Sequence, residues 1–470
     1  QELQDMGTYQ QFVSRKLESI TPSGLTEPFT LPESLFPMQH DLVSWALKRG
    51  RSAIFADTGL GKSRMQIAWA DEIHRRTGGD VLILAPLAVA AQTVGEAQAI
   101  GVTITHCREL DDVQPGINIT NYDRLHKFDC SRFIAVVLDE SSCIKHHTAK
   151  TFDIMVEAFK LTPYRLCATA TPAPNDWTEL GTHAEFLGIC SRAEMLAEFF
   201  VHDGGETQTW RLKGHARHLF WQWVSKWGAC VRSPADLGYD ASSYELPPLH
   251  EVEHIVDVDD SALIDDGMLF ALEASTMSER RAAKKLSMDA RVNALAAMVN
   301  ADSEPWIIWG ELNAETQALA ALIPGAVEIA GPDHAELKEQ RLADFAAGRI
   351  RVLITKPSIA GWGLNWQHCA RMAFVGITDS FESYYQAVRR CYRFGQKREV
   401  FIHLFSSKLE GAVLANLRRK EQDAREMGEA LAAETSAAVK AAISGASKQT
   451  NNYNASRKVK APAWLRSDAS

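Results

Sequence analysis

The sequence predicts an α/β protein of two tandem parallel-sheet lobes with helical insertions and a flexible C-terminal tail. Short runs rich in Val, Ile and Ala alternate twice over with longer amphipathic stretches, the pattern of parallel strands joined by crossover helices. A chain of 470 residues is also too long for one compact core. Its content of 46% hydrophobic and 23% charged residues is that of an ordinary globular protein.

The first series of strands is expected at Ser52–Ala56, Val81–Pro86, Ile117–Tyr122, Ala135–Glu140 and Arg165–Thr171. The second is expected at Trp306–Leu312, Ala326–Ala330, Arg351–Lys356, Arg371–Ile377 and Val400–Ser406. Between about 185 and 300 the alternation breaks down. A Trp-rich stretch at about 190–245 reads as an insertion packed on the first lobe, and Pro247-Pro248 as a stiff interlobe connection. A charged helix is expected over Ser278–Asn300 and another over Leu409–Leu431. The expected division is therefore an N-terminal extension (1–34), a first lobe (35–245), a second lobe (246–434) and a basic tail, disordered or weakly helical, from Thr435 (435–470).

A formal charge of −9 carries no basic signature, although a local groove could still be positive. Eight cysteines are scattered with no C-x-x-C pair, which indicates neither a disulfide framework nor a zinc knuckle. No run approaches the roughly 20 apolar residues of a membrane span, and Gln1–Asp5 lacks the regions of a signal peptide. The expectation is a cytoplasmic protein without a membrane partner.

Chemistry enters at Ala56-Asp57-Thr58-Gly59-Leu60-Gly61-Lys62-Ser63. A strand ending at Ala56, a loop with two glycines, and Lys62-Ser63 opening a helix form a phosphate loop, with Ala56 in place of the usual first glycine. Glycines let backbone N–H groups approach phosphates, and the helix N-terminus adds a favourable dipole. Lys62 is expected to reach the β- and γ-phosphates of ATP, and Ser63 to ligate Mg²⁺. The acidic partner is the strand end Asp139-Glu140: Asp139 would hold Mg²⁺ directly or through water, and Glu140 would orient and deprotonate the attacking water. Positive charge for the transition state is offered by Gln386–Arg393, where a helix would put Gln386, Arg390 and Arg393 on one face. Such arginines, aimed from the second lobe, would make hydrolysis depend on cleft closure.

Together these segments resemble superfamily-two helicases, and most closely the Swi/Snf-type ATPases in the short form found in bacteriophages and bacteria. The resemblance covers about residues 35–425. Its motifs run in family order: Met38-Gln39, A-D-T-G-L-G-K-S, Ala85-Pro86-Leu87, Thr120-Asn121-Tyr122, D-E-S-S at 139–142 followed by Ile144-Lys145, T-A-T-P-A-P-N at 169–175, K-P-S-I-A-G-W-G-L-N at 356–365 and Q-A-V-R-R-C-Y-R-F-G-Q at 386–396. The resemblance implies RecA-like lobes, adenine recognition by Gln39, and coupling of the nucleotide cleft to lobe movement through Ser142, Thr169 and Thr171. It makes Arg390 and Arg393 arginine fingers. Gly361 and Gly363 would let a second-lobe loop approach nucleotide and nucleic acid. R-F-G-Q after the fingers favours Swi/Snf-type proteins over DEAD-box and DEAH-box groups, and so duplex DNA as track. Three departures stand out: D-E-S-S replaces D-E-A-H, Arg389 stands where glycine is common, and Trp362 lies inside the usually small G-x-G loop.

Contacts to a sugar-phosphate backbone position a strand without reading its sequence, which reconciles an acidic chain with DNA. Candidate contacts are Pro86, Leu87, Thr120, Asn121, Thr355 and Lys356. Trp362 would either stack on a base, worth ~1–3 kcal/mol, or pack across the lobe surface. Trp210, Trp221, Trp223 and Trp227 read as the core of an inserted helical unit. His202, His215 and His218 lack the Cys or carboxylate partners that would complete a metal site. The tail carries Lys440, Lys448, Arg457, Lys458, Lys460 and Arg466 against Asp468. It reads as a solvated tail, with a DNA tether or a peptide docking a protein partner as the alternatives. The expected activity is ATP-driven translocation along double-stranded DNA. The rivals are a helicase that separates strands on single-stranded DNA or RNA, and an ATP-gated binding subunit.

Overall fold

The computed structural model describes residues 20, 22–86, 89–146, 149–173, 176–202, 210–257, 277–360, 365–376, 380–408 and 411–443. The first lobe opens with α1 (Pro37–Arg49), β1 (Arg51–Ala56), α2 (Lys62–Thr77), β2 (Asp80–Ala85), α3 (Ala90–Ala99), β3 (Ile104–His106), β4 (Ile117–Asn121), β5 (Phe133–Asp139), α4 (Ala149–Ala158) and β6 (Tyr164–Thr169). There follow α5 (Leu180–Leu187), α6 (Arg192–Phe199), the antiparallel pair β7 (Phe200–His202) and β8 (Trp210–Leu212), α7 (Arg217–Ser225) and β9 (Gly228–Val231). The main sheet has the order β3-β4-β2-β5-β6-β1-β9, and every pairing in it is parallel.

The second lobe comprises β10 (Leu249–Val256), α8 (Met277–Asn300), β11 (Trp306–Trp309), α9 (Asn313–Leu322), β12 (Val327–Glu328), α10 (Ala335–Ala346), β13 (Val352–Thr355), α11 (Pro357–Ala360), β14 (Arg371–Phe374), α12 (Phe381–Val388) and β15 (Val400–Ser407). Its sheet is again wholly parallel, in the order β10-β15-β14-β11-β13-β12. The last element is α13 (Gly411–Ile443).

The central strands of both sheets are buried on both faces, which is why they read as unbroken apolar runs. Within the first, Phe55, Leu84, Val136 and Leu138 enter one core while Ile54, Ile83, Ala135 and Val137 enter the other. The second sheet divides Ile307, Leu353 and Met372 from Ile308, Ile354 and Ala373 in the same way. This is the period-two alternation of a strand applied to two apolar faces.

Three features differ from the sequence expectation. The Trp-rich stretch does supply core, with Trp221, Trp223 and Trp227 all buried, but residues 228–231 within it are no insertion: β9 pairs with β1 and completes the main sheet. Pro247-Pro248 is followed at once by β10, which pairs with β15 along its whole length. Finally, from Thr435 to Ile443, where the sequence leaves disorder and weak helix open, the chain continues as packed helix. Thr435 and Val439 are buried, and α13 carries Val413 and Leu417 in a second-lobe core but Leu431, Ala432 and Val439 in the two first-lobe cores. The Ala-rich composition that suggested a tail is also that of a strong helix former, and its buried positions recur at helical spacing. The tail beyond residue 443 lies outside the described residues.

Candidate active site

The site begins with register. Phe55 on β1 pairs with Thr169 on β6, and Asp139 on β5 pairs with Ala168, so three loops leave the sheet at one carboxyl edge. That edge is where open parallel sheets bind ligands. The loop after β1 turns through Gly59 and Gly61 at φ 93° and 81°. A side chain there would strain the backbone, and a Cβ on Gly61 would lie 2.2 Å from Gln39 Nε2. Gly61 then caps α2, leaving the first N–H groups of that helix facing the cleft.

Gln39, on α1, is buried beside the loop: Nε2 donates to Leu60 O (3.0 Å) and Oε1 accepts from Phe36 N (3.0 Å). Lys62 Nζ donates to Ala56 O (2.8 Å) and Asp57 O (3.3 Å). Burial lowers its pKa, against the pull of Glu140, Asp57 and Asp139. Asp57 accepts from Thr58 N at 2.6 Å.

Asp139 is fixed by Gln66, whose Nε2 donates to Oδ1 at 2.7 Å. Burial raises the Asp139 carboxyl to about 6, with Glu140 adding to the rise and Gln66 and Lys62 opposing it. Glu140 has φ 51°, the only positive value on a non-glycine among the described residues. This turn swings its side chain back over the sheet edge. There Oε1 accepts from Thr169 Oγ1 (2.7 Å), Ser142 Oγ (3.3 Å) and, from the second lobe, Gln386 Nε2 (3.4 Å). Thr171 N bonds Thr169 Oγ1 (3.1 Å), and Thr171 Oγ1 reaches Glu382 on α12 (3.4 Å).

Arg390 follows α12 and is held by Gln386, through its main-chain oxygen (2.8 Å) and its Oε1 (3.0 Å). Burial and the neighbouring Arg393 lower Arg390 to about 9, which leaves it charged at neutral pH. Arg393 is lowered by burial too, against the attraction of Glu96 on α3. A cavity of about 430 Å³ gathers these groups: Gln39, Thr58, Gly59, Gly61, Lys62, Ser63, Asp139 and Glu140 line it from the first lobe, and Arg390 and Arg393 from the second. The sequence pointed to all of these. It did not single out Gln66, Glu382, Tyr385 or Phe394. Gln66 lies one helical turn beyond Lys62 and so shares its face, a signal available from spacing alone. Contacts of the other three depend on lobe docking, which no local pattern encodes.

The cleft suits a magnesium nucleoside triphosphate: two positive-φ glycines, helix N–H groups and Lys62 for phosphate, and Ser63 with Asp139 for the ion. Among the described residues no set of three His, Cys, Asp or Glu is grouped to hold a metal. Of the expected nucleic-acid contacts, Thr120, Asn121 and Thr355 are buried. Asn121 accepts from Arg124 N (3.1 Å), and Thr355 Oγ1 donates to Ile329 O (3.1 Å). Pro86 and Lys356 are half-buried at their strand ends. Leu87, Gly361, Trp362 and Gly363 lie outside the described residues.

Two parallel-sheet lobes thus share one cavity, lined by the Gly59–Ser63 loop on one side and by Arg390 and Arg393 on the other. Residues 38–200 match the SNF2-related domain family, which is consistent with a Swi/Snf-type, superfamily-two helicase-like ATPase. A search of curated proteins returned no match. Among the described residues no helix is long and apolar enough to cross a membrane.

Proposed function

We propose that the chain is an ATP-driven translocase on double-stranded DNA, with hydrolysis at the interlobe cleft. The observation that carries this reading is the shared cavity. Lys62, Asp139 and Glu140 face Arg390 and Arg393 across it, and Gln386 of the second lobe reaches Glu140 itself. Neither lobe alone holds a complete set of groups for phosphoryl transfer.

In this reading Gln39 selects adenine and the backbone of Thr58–Ser63 cradles the phosphates. Lys62 leaves the carbonyls of Ala56 and Asp57 for the β- and γ-phosphates. Ser63 and Asp139 would hold Mg²⁺, which neutralises charge on the phosphate oxygens. Thr169 and Ser142 both bond Oε1 of Glu140, which fixes the carboxylate so that Oε2 can orient a water and take its proton. Arg390 and Arg393 stabilise the charge that develops as the bond to the leaving phosphate breaks. Gln386 to Glu140 and Glu382 to Thr171 would transmit the state of the nucleotide to α12 and hence to the second lobe. Alternating grip on a DNA backbone converts that movement into translocation. Because Thr120, Asn121 and Thr355 are buried within their lobes, phosphate contacts there would come from loop N–H groups and from Lys356.

ATPase rates with single-stranded DNA, duplex DNA and RNA, together with triplex displacement and fork unwinding, test the reading. Duplex DNA should stimulate turnover most, and a triplex strand should be displaced without separation of a plain fork. Unwinding without triplex displacement would make the protein a strand-separating helicase instead. Lys62→Ala should abolish stimulation, and a wild type no faster than that variant would leave only an ATP-gated binding role.

A further inference from the structure

Asp57 joins the two lobes through contacts that the proposed chemistry does not use. Its N–H donates to Val231 O (2.9 Å), which fixes its backbone to β9 in the first lobe. Its carboxylate is gripped from the second. Tyr385 Oη donates to Oδ1, and Arg389 Nη2 lies 3.7 Å from Oδ2. Arg389 is itself confined, with its guanidinium 5.1 Å from the ring centre of Tyr385 and 5.6 Å from that of Tyr392. The side chains of Asp57 and Arg389 are only 17% and 19% exposed, so the pair is largely shielded from salt. Asp57 also presents its carbonyl to Lys62 Nζ at 3.3 Å. Whatever displaces Asp57 therefore displaces the resting position of Lys62 and the first turn of the phosphate loop.

We propose that Tyr385 and Arg389 form an interlobe latch on Asp57 that sets the phosphate loop, so that the loop binds triphosphate tightly only while the second lobe is docked. They are positioning residues: they act on nucleotide through Asp57. The latch rests on the ATPase reading.

Interlobe glue without effect on the loop would behave differently from a latch. Loosened docking alone would misplace Arg390 and Arg393 and lower kcat with binding intact, whereas a latch on the loop raises Kd and KM. The test uses the full chain, a fluorescent non-hydrolysable Mg·ATP analogue for Kd, and steady-state ATPase for KM and kcat. Arg389→Gln and Asp57→Asn should each weaken binding and raise KM by about tenfold, with kcat within about threefold, and the double variant should be no worse than the weaker single. Tyr385→Phe removes one hydroxyl, leaves packing intact and should weaken binding by about threefold, which keeps the test available if a charge variant does not fold. Additive losses in the double variant overturn the latch, as does an unchanged Kd with lowered kcat, or an unchanged Kd for Tyr385→Phe. A wild type that binds no analogue removes the ATPase reading and the latch with it; the other failures leave that reading standing.

Discussion

Glu140 concentrates several demands on one side chain. Its φ of 51° lies in the left-handed region, which costs a non-glycine residue about 1–2 kcal/mol, and three hydroxyl or amide donors converge on its Oε1. Glu140→Gln keeps the shape and removes the base. It should lower ATP turnover by about 10²–10⁴-fold while leaving nucleotide affinity near the wild-type value, as read by single-turnover hydrolysis and analogue binding. A variant that hydrolyses ATP at the wild-type rate would exclude Glu140 as the base. A second residue-scale expectation concerns His403, which shares a 2.9 Å hydrogen bond with His254 across β10 and β15. Burial, then His254 and Arg371, push His403 down to about 4 from 6.5, against Asp302. The depressed value means that the folded state favours neutral imidazole. The associated stability is fully present above pH 6.5 and is lost as pH falls through about 4. Over that window the folded-to-unfolded ratio should drop by up to about tenfold per pH unit, and His403→Gln should flatten the fall. Urea denaturation of both proteins at pH 7 and pH 5 measures it, and equal slopes would exclude the effect. At this scale most of the candidate site was legible, because Lys62, Asp139, Glu140, Arg390 and Arg393 sit in short motifs whose chemistry dictates their spacing. Gln66 was legible in principle, one turn beyond Lys62. Tyr385 and Glu382 were not, since each gains its meaning from a partner more than two hundred residues away.

Among the elements, α12 and α13 do the joining. α12 presents Glu382, Tyr385 and Gln386 to three different first-lobe residues, Thr171, Asp57 and Glu140. α13, at about 1.5 Å per residue, runs about 50 Å from the core of one lobe into the cores of the other. Arg232 holds it midway through Arg425 O (3.1 Å) and Glu429 (3.2 Å). Leu431 is buried among first-lobe residues although it follows the second lobe in sequence, so Leu431→Ala should cost about 2–5 kcal/mol of first-lobe stability. Denaturant titration followed by tryptophan fluorescence reads this, since Trp221, Trp223 and Trp227 share that core. Strands expected as apolar runs between turn signals were found where they were read. The short β3, β7 and β8 were not, and neither were β9 and β10. Gly228-Ala229-Cys230-Val231 is too short and too weakly β-forming to stand out, and β10 is an edge strand whose Glu251 and Glu253 face Arg418. The polar residues that make an edge strand safe also hide it.

For the whole molecule, the two sheets are separate in their pairing but not in their covering. Removing residues 427–443 strips Leu431, Ala432 and Val439 from the first lobe, while Val413 and Leu417 stay in the second. Calorimetry of the shortened chain should show the first lobe melting earlier, with the transition of the second lobe nearly unmoved. Equal shifts of both would mean that α13 stabilises the molecule without favouring a lobe. The fold class was readable because both sheets repeat the same alternation of strand and helix. The covering was not, because amphipathic spacing shows that a helix has a buried face without saying which core receives it.

The path of α13 also governs when the protein can be finished during its synthesis. β1 sets out the loop of Asp57–Gly61 early, yet residue 53 must wait for residue 228 to close its far side, and the cores around it wait for residues 431 to 439. At about 5–20 residues per second, the second delay alone is on the order of ten to forty seconds. The first lobe is therefore the first to be made and the last to be sealed. A nascent chain halted anywhere in the second lobe would carry that loop on a sheet whose apolar side is still open to the solvent and to its neighbours.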